Sequence, residues 1–210
     1  MGVSTVNSIL VRRYSLNQID DKKIRAFLIS KQIPWRNFGS EYRVIEELDL
    51  CQGSARIDIA IVNGTTWGIE IKGETDTLKR LPNQLKIYQK NFDFLEVACT
   101  ENHLKQVRSM IPRSCGIMLL NINGDELHCK QIRKSKINKQ KQKNAVVQLL
   151  WKNEALDFLE TLDTSKGFKS KSRNVIWNRI VELANDADFY SYVNNYLRNR
   201  PDWRLAQQLL

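Results

Sequence analysis

The stretch Arg56-Ile57-Asp58-Ile59-Ala60-Ile61-Val62-Asn63-Gly64-Thr65-Thr66-Trp67-Gly68-Ile69-Glu70-Ile71-Lys72 decides how this chain is read. Both of its ends alternate. Ile57, Ile59 and Ile61 are apolar around Asp58; Trp67, Ile69 and Ile71 are apolar around Glu70 and Lys72. A period of two places alternate residues on opposite faces of a strand. Glu70 and Lys72 therefore share a face, and the alternation predicts that it is the face turned away from the apolar core.

The connection between the two strands carries a geometric condition. A two-residue turn at Asn63-Gly64 would pair Val62 with Thr65 and set Asp58 opposite Ile69, leaving Asp58 and Glu70 on opposite faces. A shared site requires an odd loop or a bulge. A three-residue loop over Val62-Asn63-Gly64, with glycine in the left-handed region, meets the condition.

Working outward, Asn17-Gln18-Ile19-Asp20-Asp21 opens a helix that runs to about Gln32 and is stopped by Pro34. Ile24, Phe27, Leu28 and Lys31 share one of its faces, and its acids lie in the first turn. Residues 42–50 read as a strand whose register the pattern leaves open. Pro82 suits a first helical turn, so a helix is predicted from Pro82 to Phe92, with Gln84 and Tyr88 on one face. Phe94–Thr100 reads as a strand, Asn102–Ile111 as a short helix, Gly116–Leu120 as a buried strand and Glu126–Arg133 as an edge strand. This order predicts a mixed α/β sheet carrying helices. Val146–Leu162, Asn174–Leu183 and Ala187–Arg198 read as helices. The expected organisation is a peripheral segment (1–16), a core (17–134), a basic connector (135–145) and a helical C-terminal region (146–210).

The chain has 210 residues, is 42% hydrophobic and carries a net charge of +10. That is length enough for one large domain with a real core. The charge makes a polyanion the first candidate partner. No apolar run approaches the ~18 residues of a membrane span, and no secretory signal is read, so a cytoplasmic protein without a membrane partner is expected. Cys51, Cys99, Cys115 and Cys129 are widely spaced and read as reduced core thiols. Seven of the fourteen residues from Lys130 to Lys143 are basic, which reads as an exposed arm.

The acids suggest chemistry. Mg²⁺ takes oxygen ligands and is commonly held by one or two carboxylates plus water and phosphate oxygens. Asp58, Glu70 and the carbonyl of Ile71 can supply such a set. Lys72 can orient or deprotonate water and stabilise charge on a phosphate. The plain alternative is a solvated hairpin face on which Lys72 pairs with an acid.

These residues resemble the PD-(D/E)XK nuclease superfamily: Asp58, eleven residues, then Glu70-Ile71-Lys72, with Arg56-Ile57 where the name-giving proline would stand. The longer match resembles a small bacterial family of that superfamily. It takes in Glu47-Leu48, Ala55-Arg56-Ile57-Asp58, Asp76 to Gln84, Tyr88, His103-Leu104, Pro112 and Gly116-Ile117, and covers roughly residues 17–122. The resemblance implies a restriction-endonuclease-like mixed central sheet flanked by helices; the helical pattern beyond it adds an all-helical C-terminal extension. It implies a hydrolase that cleaves phosphodiester bonds with Mg²⁺ or Mn²⁺, DNA being the expected substrate. Asp58 and Glu70, with Ile71, would be metal ligands and Lys72 the catalytic lysine. Glu47, with Glu46 second, would be the additional acid. Gln84 and Tyr88 resemble the QxxxY feature that lies beside such sites. Beside such a core, Arg80, Lys130, Arg133, Lys134, Lys136, Lys139, Lys141 and Lys143 become candidate phosphate contacts. His103, Glu74 and Asp76 read as structural, and Trp151, Trp177 and Trp203 as core residues. The alternative function is an inactive nuclease fold serving as a nucleic-acid-binding subunit; a protein adaptor is the third. The C-terminal helices are candidates for a homodimer contact or a protein partner.

Overall fold

The computed structural model describes residues 21–33, 41–123 and 126–201. The expected helix onset at Asn17, the stop at Pro34, the Gly124-Asp125 turn and Trp203 lie outside them.

Six strands form one mixed sheet in sequence order: β1 (Arg43–Leu50), β2 (Ala55–Val62), β3 (Thr66–Lys72), β4 (Phe94–Thr100), β5 (Gly116–Asn123) and β6 (Glu126–Arg133). β1 to β3 are antiparallel, β3 to β5 are parallel, and β6 returns antiparallel as an edge. Parallel neighbours need crossovers. They are α2 (Leu81–Asn91) and α3 (Glu101–Met110). Pro82 falls in the first turn of α2, where its missing N–H costs nothing.

Both faces of the sheet are covered. On one, α1 (Asp21–Phe27) and the π-helical turn Leu28–Gln32 bury Ile24 and Leu28 against Ile59, Ile61, Ile69 and Ile71. Lys31, expected on that face, is exposed. On the other face, α2 packs Leu81, Leu85 and Tyr88 over Ile57, Ala60 and Val62. Gly68 makes this approach possible. A Cβ there would meet Phe92 at 2.9 Å and Ile57 and Leu95 at 3.0 Å.

Glu70 and Lys72 therefore do not face away from the core. Glu70 is 2% and Lys72 6% exposed, beneath α2. The strict alternation of β2 also fails. Ile57 packs on the α2 side, whereas Ile59 and Ile61 pack on the α1 side. The switch falls at Asp58. Opposite it, Glu47 has φ +53°, and the pairing skips from Glu46↔Ile59 to Leu48↔Ile57. A left-handed residue turns the strand over without changing its register.

The helical C-terminal region is not a separate body. α4 (Lys143–Val146), α5 (Lys152–Thr161), α6 (Arg173–Leu183) and α7 (Asp186–Asn199) bury Val146, Phe158, Ile176 and Phe189 in the same apolar cluster as α2. The single helix expected over Val146–Leu162 is two. A 3-10 turn at Val147–Leu149 leads into an extended Leu150, whose carbonyl accepts from Trp177 Nε1 at 3.2 Å. α5 then restarts, and Glu154 reaches back to the Trp151 N–H at 2.8 Å.

The basic connector is not a free arm. Residues 134–142 run as a strap against the C-terminal end of α2. Asn138 donates to the carbonyls of Gln89 (2.6 Å) and Phe92 (2.8 Å), and the Gln142 N–H donates to Lys90 O at 3.0 Å. Among the described residues, no helix is long and apolar enough to cross a membrane.

Candidate active site

The condition on the hairpin is met. Val62 pairs with Thr66, leaving the three-residue loop Asn63-Gly64-Thr65, one residue later than expected, with Gly64 at φ +99°. The register Ile59↔Ile69, continued one step, sets Asp58 opposite Glu70. Asp58 Oδ2 accepts the Ile71 N–H at 2.7 Å. The N–H and C=O of one strand residue leave on the same side, so the Ile71 carbonyl also faces β2.

Glu70 is gripped on both oxygens. Lys72 Nζ lies 2.7 Å from Oε1, and the Tyr88 hydroxyl lies 2.7 Å from Oε2. The same hydroxyl lies 2.7 Å from the Arg56 carbonyl and accepts from Gln84 Nε2 at 3.1 Å. Its single proton has two acceptors, and burial together with Glu70 pushes its pKa up, so the phenol stays protonated.

Asp58 is the carboxylate of the site whose pKa is displaced. Burial first, and the negative charge of Glu70 second, push its carboxyl from 3.8 up to about 7, against the Ile71 N–H, Lys72 and Arg25, which pull it down. Arg25, on α1, stands among these acids and was not singled out in the sequence. Its Nη1 lies 2.8 Å from Glu47 Oε1 and 3.7 Å from Glu46 Oε2, and its Nη2 lies 3.8 Å from Asp58 Oδ1. Its place, one residue after buried Ile24 on an amphipathic helix, offered no signal in the sequence.

Glu47, Asp58, Glu70, Ile71, Lys72, Arg80 and Gln84 line a cleft of about 440 Å³, with Asp21, Asp49, Arg56 and Asp76 among the other walls. Tyr88 sits behind Glu70. The expected core set thus converges. The basic set does not. Of the eight candidate phosphate contacts, only Arg80 lines this cleft. Arg133 donates to the carbonyls of Cys115 (2.8 Å) and Pro112 (3.1 Å). Lys141 pairs with Asp93 at 2.8 Å and lies over the Tyr190 ring, and Lys143 pairs with Asp186 at 2.9 Å. Lys141 also reaches Thr66, at the start of β3. Lys72 is six positions along β3 from Thr66, a distance of about 20 Å along a strand. Lys130, Lys134, Lys136 and Lys139 are exposed and lie outside the cleft.

Among the described residues, no group of three or more His, Cys, Asp or Glu is set to hold a metal. Two carboxylates with a peptide carbonyl nevertheless form an all-oxygen, hard donor set of the kind that suits Mg²⁺ or Mn²⁺. Burial first, and repulsion from Glu70 second, raise the Asp58 carboxyl against the pull of the Ile71 N–H, Lys72 and Arg25. A divalent cation between them would relieve that repulsion, so the residues fit one ion.

Fold and site together define a mixed α/β protein with an acid–lysine cleft at the end of its central sheet. A family model described as "Bacteriophage P4 protein cII" matches residues 15–203, and the chain belongs to that family. Protein cII of Enterobacteria phage P4 is 30% identical over 120 residues, covering 57% of this chain and 46% of that protein. The matched stretch thus spans about half the length of that relative. No solved structure matches the chain.

Proposed function

We propose that this chain is a divalent-metal-dependent nuclease with a restriction-endonuclease-like fold, hydrolysing phosphodiester bonds, with DNA as substrate. One observation carries the reading: Asp58, Glu70 and Lys72 converge in a single cleft, with the Ile71 backbone turned toward Asp58. Mg²⁺ or Mn²⁺ at Asp58 and Glu70, with the Ile71 carbonyl, would supply Lewis acidity and an activated water. The chain's own residues do the rest. Glu70 is held in one orientation by Tyr88, and Gln84 in turn holds Tyr88. Lys72, buried beside the acids, places a positive charge where charge develops on the phosphoryl oxygens. Arg80, exposed on the rim, contacts a flanking phosphate.

The test is Mg²⁺-dependent cleavage of plasmid and linear DNA by the purified chain. Cleavage that is lost in Lys72→Ala and in Asp58→Ala supports the reading; no cleavage with either Mg²⁺ or Mn²⁺ overturns it. One observation favours a second reading, a non-catalytic nucleic-acid-binding subunit: Lys72 and Arg25 already give these acids cationic partners without a metal. That reading expects salt-dependent DNA binding that Asp58→Ala leaves intact, and no cleavage.

A further inference from the structure

Three acids fall in one row across the sheet. Glu47 lies opposite Asp58, between the pairs Glu46↔Ile59 and Leu48↔Ile57, and Asp58 lies opposite Glu70 by the continued register of β2 and β3. Neighbouring strands are about 4.8 Å apart, so a row of three carboxylates leaves two gaps, each of a size that a cation bridges. The gap between Asp58 and Glu70 is the one assigned above to a metal. The gap between Glu47 and Asp58 is already filled.

Its occupant is the guanidinium of Arg25, with Nη1 2.8 Å from Glu47 and Nη2 3.8 Å from Asp58. The side chain is only 9% exposed. The backbone is shaped around this contact. Glu46 and Glu47 are adjacent in a strand, and adjacent residues normally point to opposite faces. Both reach Arg25 because Glu47 is left-handed, at φ +53°. Non-glycine residues in that region are uncommon, and where they occur the surroundings hold them there. Arginine stays charged at any working pH, and its planar fork holds carboxylates from two sides. It cannot vacate the gap by losing a proton.

Two-metal hydrolytic sites place their ions roughly 3.5–4 Å apart, on carboxylates shared between them. Asp58 is the acid that would be shared in this row. We propose that Arg25 stands in place of a second metal ion, so that the cleft takes one divalent cation, between Asp58 and Glu70, and Glu47 serves as Arg25's partner rather than as a ligand. Arg25 is thus a positioning residue for Asp58. This rests on the nuclease reading of the same cleft.

The experiment counts Mn²⁺ bound to the full chain, by calorimetry and by electron paramagnetic resonance, in folded variants checked by circular dichroism. The wild type is expected to bind one ion, and Asp58→Asn none. Arg25→Gln should bind a second, Arg25→Lys should stay at one, and Arg25→Gln combined with Glu47→Gln should return to one. Glu47→Gln alone should keep its ion with less than the roughly tenfold loss that removing a supporting group of a ligand typically brings. Two ions in the wild type overturn the proposal, as does a single ion in folded Arg25→Gln. Should Arg25→Gln not fold, the wild-type count and the Glu47→Gln affinity still decide: two ions, or a loss beyond tenfold, sink it. Absence of bound Mn²⁺ in the wild type and every variant overturns the metal site itself, and this inference with it. A failure confined to the count leaves the nuclease reading standing.

Discussion

Two buried lysine–carboxylate pairs lie at opposite ends of β3, and they behave differently. At its C-terminal end, Lys72 lies 2.7 Å from Glu70; near its start, Lys141 lies 2.8 Å from Asp93. The second pair is closed. Asp93 Oδ2 also accepts from the Thr66 N–H (2.8 Å) and the Thr66 hydroxyl (2.9 Å), and Tyr190 lies against the ammonium. The charges balance, and burial pulls the Lys141 pKa down against the charge and hydrogen bond of Asp93. The first pair is open. Asp58 and Glu47 stand beside it, the cleft reaches it, and Asp58 is pushed up to about 7. Similar ion pairs thus mark different roles. The balanced one ties a strap to the sheet. The unbalanced one leaves Asp58 and Glu70 side by side at the cleft, where the proposed cation would sit.

The contrast can be broken from either end. The largest effect is expected at the open end. Asp58→Ala should lower Mg²⁺-dependent cleavage by about a thousandfold or more, some 4 kcal/mol on the barrier. A variant that retains cleavage within tenfold would remove Asp58 from the site.

pH should act at the same residue. The folded chain holds a proton on Asp58 that the unfolded chain, with its carboxyl near 3.8, has given up. The resulting stability is fully present below about pH 4 and is lost as pH rises through about 7. A shift of this size corresponds to at most about 4 kcal/mol. Without metal, melting temperature should therefore fall between pH 5 and pH 8. Asp58→Asn should flatten that slope, and Mg²⁺ should restore stability at pH 8 by binding the folded form. A slope unchanged in Asp58→Asn would locate the proton elsewhere.

At the closed end, Lys141→Ala leaves Asp93 buried without its cation. Loss of about 3 kcal/mol is expected in urea unfolding, while cleavage per folded molecule stays the same. Reduced cleavage with intact stability would make Lys141 a substrate contact after all. Gly68→Ala should cost about 1–3 kcal/mol, because its methyl meets Phe92, Ile57 and Leu95. Asn194→Ala, which removes a 2.7 Å bond from α7 to the Gly64 carbonyl, should cost about 1 kcal/mol in the same assay.

Much of this was legible in order along the chain. Phe94–Thr100 and Glu126–Arg133 match their strands residue for residue, and Pro82 placed α2 to within a residue. These segments were readable because period, proline and turn chemistry act within a few residues. The odd hairpin loop followed from the demand that Asp58 and Glu70 meet. The break at Leu150-Trp151 was not readable, because Trp151 is no usual capping residue and the freed Leu150 carbonyl is satisfied by Trp177, distant in sequence. The basic stretch misled for a similar reason. Lys141 and Lys143 have exposed-looking neighbours in sequence, while their partners Asp93 and Asp186 come from elsewhere.

The sequence by itself determined the strands and helices of the sheet, their mixed order, and the gathering of Asp58, Glu70 and Lys72 on adjacent strands. Local periodicity and the two-residue repeat of a strand suffice for that. Only the tertiary structure decided that Glu70 and Lys72 lie under α2, that the face of β2 switches at Asp58, and that Arg25 lies between Glu47 and Asp58. Each of these depends on what another element brings to the spot. Burial, charge balance and the fit of a guanidinium between two carboxylates are properties of neighbours in space, which spacing along the chain does not encode.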